Sequence, residues 1–152
     1  FTLDYPEYEA GNETVNESKK IRMIRGTNFY EVTATVKTKS GNDVLLAVGI
    51  SEFGNAKVLS DKEKGLLSLT EKISDKDGFI SGAIFAKPED IEGFAHYGND
   101  ELVLIRVKSG VPAKFYVGSA WEGNPEFNKL EETWNALINK ESYLNMVQDY
   151  TD

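Results

Sequence analysis

Residues able to do chemistry are few in this chain and lie far apart along it. His96 is the only histidine among 152 residues. It sits in Glu92-Gly93-Phe94-Ala95-His96-Tyr97-Gly98-Asn99-Asp100, which reads as a loop rich in glycine and aromatics between two strands. An imidazole titrates near neutrality and can act as general acid or base, or it can simply lie exposed in the loop. Tyr97 adjoins it. Tyr116 belongs to a predicted strand in which Phe115 and Val117 are expected in the core. Alternation then turns Tyr116 to the outside or to a groove, as a packing residue or as part of a site. Arg106 and Lys108 share one face of Leu102-Val103-Leu104-Ile105-Arg106-Val107-Lys108, alternating with apolar residues. Two such cations can hold a carboxylate or sulfate, and Lys114 extends the patch if the hairpin through Ser109-Gly110-Val111-Pro112 pairs the two strands. The alternative is a solvated face balanced by acidic neighbours.

Glu31 and Glu52 are carboxylates on neighbouring strands, and only their separation would say whether they could serve glycoside hydrolysis. Asp75 and Asp77 before Gly78 are a fragment of a calcium-loop pattern without its later ligands, so a hairpin turn is expected there. One histidine does not make a histidine-based metal cluster, and no metal is expected. Asn12-Glu13-Thr14 and Asn16-Glu17-Ser18 match the glycosylation acceptor pattern, which short polar stretches match by chance. A P-loop, a dinucleotide fingerprint, a nucleophile elbow and a metalloprotease motif are all missing from the sequence, so no organic cofactor is expected.

The elements that must position these groups are mostly strands. Alternation of period two recurs through the chain, and it predicts strands near 1–8, 13–25, 28–38, 43–53, 65–73, 78–86, 101–108 and 113–121. The turn-forming stretches 26–28, 39–43, 74–78 and 108–112 separate them with Gly, Asn, Asp or Pro. In Asn28–Lys39, Tyr30, Val32, Ala34 and Val36 fall on the face expected to meet the core. Glu31, Thr33, Thr35 and Lys37 fall on the face expected to meet water or a groove. A C-terminal helix over about 125–148 follows from Asn124 as cap, Pro125 in the first turn, and Phe127, Leu130, Trp134, Leu137 and Ile138 at helical spacing. Ser142 marks a second turn or a kink. The fold class is mainly β: an antiparallel β-sandwich, or part of one, with this helix against the sheet.

Length suits a single domain over 1–152. With 17 Lys and Arg against 25 Asp and Glu the formal charge is −8, which opposes nucleic acids and anionic membranes. The chain has no cysteine, and no apolar run reaches the roughly 20 residues of a membrane-spanning helix. Because Phe1 already lies in a strand-like segment, the chain is expected to be a piece of a longer protein.

At Tyr116-Val117-Gly118-Ser119-Ala120-Trp121, followed by an acidic segment and Trp134-Asn135, the sequence resembles a bacterial family known as domain of unknown function 4861. The strands around 28–36 and 45–50 are similar to the family's middle strands. The likeness runs over nearly the whole chain, which corresponds to the C-terminal part of the family's longer unit. The resemblance implies a share of a galactose-mutarotase-like supersandwich, a place in polysaccharide utilisation, and a periplasmic or extracellular location. It also implies dehydration of uronic-acid-containing oligosaccharides, with the missing N-terminal part of the same protein as a partner. Gly118, Ser119 and Ala120 would then keep a strand end free of bulk so that another strand or a sugar can approach. Trp121 would stack on a pyranose or anchor the helix. Removing water beside a uronate needs a cation for the carboxylate, a base and an acid. Arg106 fits the first, His96 with Tyr97 or Tyr116 the other two, while Trp121, Lys108 and Lys114 would bind substrate. The alternatives are a carbohydrate-binding β-sandwich without catalysis and an interaction domain that pairs through its sheet edges.

Overall fold

The computed structural model describes residues 1–151. Ten strands form two antiparallel sheets: β1 Thr2–Ala10, β2 Glu13–Met23, β3 Phe29–Thr38, β4 Val44–Ser51, β5 Lys57–Asp61, β6 Leu66–Ser74, β7 Gly78–Ala86, β8 Ile91–Tyr97, β9 Asp100–Val107 and β10 Ala113–Trp121. The larger sheet has the order β1-β2-β3-β10-β7-β6-β5, and the smaller one β4-β9-β8. A 3₁₀ turn at Pro125–Phe127 leads into α1 Leu130–Lys140 and α2 Tyr143–Asp149. No helix among the described residues is long and apolar enough to cross a membrane.

Alternation divides the central strands of the large sheet between two cores. Val32, Ala34, Val36, Leu67, Ile84 and Phe115 meet Ile91, Val103, Ile105 and Val107 of the small sheet. On the other face Leu66, Ala83, Phe85 and Tyr116 meet Leu130, Trp134, Ile138, Met146 and Tyr150 of the C-terminal segment. The sheet is therefore buried on both sides at its centre, and a one-residue slip of β10 would exchange Phe115 and Tyr116 between two differently shaped cores.

Two strands and the start of the helix differ from what the sequence pattern announces. β5 is short, exposed and paired only with β6, so it lacks the half-buried alternation that announces a strand. β8 reads as a loop because Gly93 interrupts it, and Gly93 lies where its register with β9 shifts. His96 is therefore on a strand and not in a loop. The helix expected over 125–148 opens as a 3₁₀ turn capped by Asn124, which accepts from the Glu126 N–H at 3.1 Å, and it divides at Ser142, the expected second turn or kink, which caps α2 by accepting from the Asn145 N–H at 3.3 Å.

β4 pairs with β9 alone. Its free side borders a groove whose floor is the inner face of β3 and β10, lined by Tyr30, Val32, Phe115 and Val117, with Leu46 and Val48 on its wall.

Candidate functional site

Strand directions give the sandwich two ends. β9 begins at Asp100 beside Ser51 of β4 and Tyr97 of β8. At the same end β10 finishes at Trp121 opposite Ile80, which in turn lies opposite Glu71 of β6. The Glu71 carboxylate ties the two sheets together, accepting the N–H groups of Phe53 at 2.7 Å and Asn55 at 2.9 Å from the segment that leaves β4. Glu52, which opens this segment, donates its own N–H to the carbonyl of Asn99 at 2.7 Å. The turn between β8 and β9 and the start of the 52–56 segment are thereby fixed to each other.

This end carries the imidazole. His96 and Glu101 are direct cross-strand partners, with His96 Nδ1 2.8 Å from Glu101 Oε1. The hydrogen bond to Glu101 is the main cause that raises the His96 pKa above its ordinary value, and the charges of Glu101 and Glu52 and the Gly98 carbonyl add to it. Donor atoms of Glu52, His96 and Glu101 all lie within 4.8 Å of one another, close enough to share a small cation as well as a proton.

Trp121 stands at the same end, 52% exposed. Its Nε1–H donates to the Asp77 carbonyl at 2.9 Å. A Cβ on Gly123 would come within 2.2 Å of its ring, so the indole rests on bare backbone. A fixed indole with half its surface in solvent offers a platform for the C–H face of a sugar. It flanks an open cleft of about 680 Å³ lined also by Gly49, Ser51, Gly118 and Ser119. The smallness of Gly118 has a nearer cause than a ligand. A Cβ there would meet the Phe29 ring at 2.5 Å and the Asn28 carbonyl at 2.8 Å, and Phe29 in turn stacks on Trp134 with ring centroids 5.8 Å apart.

Arg106, Lys108 and Lys114 lie at the opposite end. Arg106 Nε is 2.5 Å from Glu92 Oε1, and Lys114 Nζ is 3.4 Å from Glu31 Oε2. The turn at 108–112 does not pair β9 with β10 as expected, because the two strands belong to different sheets, yet all three cations line one cleft between them together with Lys87, Asp90 and Tyr143. The structure thus brings His96, Tyr97 and Trp121 to one end and the expected cations to the other.

Tyr116 belongs to neither end. It is fully buried under the helices and not turned to a groove. Its ring packs against Tyr143 and Tyr150 with centroids 5.9 and 5.1 Å away. Its hydroxyl donates to Glu31 Oε2 at 3.3 Å. Burial first, then the Glu31 charge, pushes its pKa far above the ordinary tyrosine value, so the phenol stays protonated. Glu31 is likewise buried, between Tyr116, Lys114 and Arg22 Nε at 3.6 Å. It does not face water, and it forms no pair with Glu52.

Three contributors escape a reading of the sequence alone. Glu101 is silent until the register of β8 and β9 is known, Lys87 stands beside a 3₁₀ turn with no motif of its own, and nothing in the spacing around Tyr143 singles it out.

The family model for a domain of unknown function, DUF4861, matches residues 1–144. No curated protein is similar to the chain in sequence. A solved structure from the human microbiome, described as a kojibiose phosphorylase, superposes with a TM-score of 0.56 at 10% identity, covering 97% of this chain and 22% of that one. The likeness shows a shared fold, and the chain spans about a fifth of that protein's length.

Proposed function

Since the chain belongs to the DUF4861 family, we propose that it is the sugar-facing part of a protein that acts on uronic-acid-containing oligosaccharides by eliminating water. The observation that carries this reading is Trp121, held by the Asp77 carbonyl and half exposed beside a strand-walled cleft, at the end of the sandwich that also carries His96. The fold neighbour's description as a kojibiose phosphorylase agrees with a carbohydrate ligand. The reading also takes the chain as one domain of a longer protein working in the periplasm or outside the cell.

In the elimination, neutral His96 takes the proton from the carbon beside the uronate carboxylate. A carbon–carbon double bond forms as the neighbouring C–O bond breaks, and the departing hydroxyl leaves as water after receiving a proton from the imidazolium. Glu101 orients the ring and stabilises the imidazolium in between, as a carboxylate on the far nitrogen does in other acid–base pairs. Arg106 lies at the other end, so the positive charge needed beside the substrate carboxylate is assigned to another part of the longer protein.

That separation favours a second reading, a saccharide-binding module without catalysis. One experiment decides: a panel of uronic-acid oligosaccharides is followed by the ultraviolet absorbance of unsaturated uronates, with binding measured in parallel. Elimination predicts an absorbance rise lost in His96→Ala while binding persists. Pure binding predicts no rise and loss of affinity in Trp121→Ala. If no member of the panel binds or reacts with folded protein, both readings fall.

A further inference from the structure

The cleft at the Lys108 end is built from four elements that share no motif. Lys87 precedes the 3₁₀ turn Pro88–Asp90, whose Asp90 N–H bonds back to the Lys87 carbonyl at 3.0 Å. Arg106 is on β9 and Lys114 on β10. Lys108 opens a turn pinned to β3: the Gly110 N–H reaches the Val36 carbonyl at 2.7 Å, and Ser109 Oγ accepts the Thr38 N–H at 3.0 Å.

These four cations face a space of about 460 Å³ in which Asp90 is the only acidic lining residue among those described. The protein as a whole carries a formal charge of −8, so the cleft opposes the general trend of the surface. Arg106 and Lys114 are partly neutralised by Glu92 and Glu31, whereas Lys87 and Lys108 have no ion-pair partner among the described residues. The positive charge left uncompensated on Lys87 and Lys108 is what an anion in the cleft would pair. Val111, half exposed, and Pro112 supply an apolar wall, and Tyr143 lies beneath.

We infer that this cleft is an oxyanion-binding site, separate from the Trp121 end, that takes the carboxylate or sulfate groups of an acidic saccharide. Ammonium groups act as point charges that accept either oxyanion, and the apolar wall suits the C–H face of the ring that carries it. The saccharide part of the inference rests on the function proposed above, while the preference for an oxyanion does not.

The test is a backbone amide NMR titration of the intact folded chain with inorganic sulfate, glucuronate, a uronic-acid oligosaccharide and a neutral oligosaccharide of the same length. It is repeated in Lys87→Ala/Lys108→Ala and in Trp121→Ala. Sulfate and the acidic sugars should shift signals at residues 87 and 108–114. The affinity should fall about fivefold in the double variant, from two exposed charge contacts, and should fall with added salt. Trp121→Ala should leave sulfate binding unchanged, and the neutral sugar should leave the cleft signals where they are. Relative shifts by sulfate and glucuronate separate a sulfate-ester site from a carboxylate site. Absence of shifts at the cleft, or unchanged sulfate binding in the double variant, overturns the inference. If acidic oligosaccharides perturb only the Trp121 end, the carbohydrate reading stands and this one falls. If sulfate and glucuronate occupy the cleft but no oligosaccharide binds anywhere, the converse holds.

Discussion

His96 and Arg106 are carried by the same strand pair and face different ends of the molecule. His96 lies opposite Glu101, and Arg106 follows five residues later on β9, which at about 3.4 Å per residue places it about 17 Å further along. One sugar ring cannot touch both. His96→Ala should therefore abolish elimination, whereas Arg106→Ala should change its rate less than about threefold, because a charge so distant is largely screened at ordinary ionic strength. A comparable loss in both variants, measured by the absorbance of unsaturated product, would mean that the chemistry does not take place at the His96 end.

As the only histidine, His96 gives a single imidazole signal by NMR. Its midpoint should lie above 6.5, and Glu101→Gln should bring it down, since the hydrogen bond to Glu101 is the leading cause of the shift. A raised folded pKa means that the contact's contribution to stability is complete below the unfolded value and is lost as pH rises through the folded one. Catalysis runs the other way: the base is the neutral ring, so the elimination rate should climb with pH across that same midpoint.

Tyr116→Phe removes a buried hydroxyl from Glu31, which keeps Arg22 and Lys114 as neighbours. We expect a loss of about 1 kcal/mol in urea unfolding and unchanged elimination. Tyr116→Ala should cost about 3–5 kcal/mol through the cavity left under α2. A Tyr116→Phe variant that is stable but inactive would bring this residue back into the chemistry.

Gly118→Ala would place a methyl group against the Phe29 ring and the Asn28 carbonyl. We expect a loss of about 1–3 kcal/mol from overpacking, read as a lower thermal midpoint. If stability holds and only saccharide affinity falls, Gly118 is small for the ligand and not for Phe29.

Most of the fold is legible in the sequence because its strands alternate cleanly. The Tyr30–Val36 face packs as the pattern requires, and β7 and β10 span the residues expected. The opposite face is less legible. Alternation reports which residues share a side, not what covers that side, so Glu31 and Tyr116 read as groove residues until α1 and α2 close over them. The candidate site is less legible still. His96 and the cations are visible as residue types, but their distribution between two ends follows from strand direction and register, and the Glu101 partnership from the pairing of β8 with β9.

The free side of β4 has a consequence for how this molecule can be probed. Alternate N–H and C=O groups of its eight residues are bonded to β9, and the intervening ones point into the groove beside Leu46 and Val48. Anything lying there, sugar hydroxyls or a strand of polypeptide, is read by main-chain atoms that every amino acid except proline supplies alike. Alanine scanning is blind to such a contact. Proline or backbone-ester replacement along Val44–Ser51 would expose it, and a relative could change nearly every side chain of β4 while retaining the same grip.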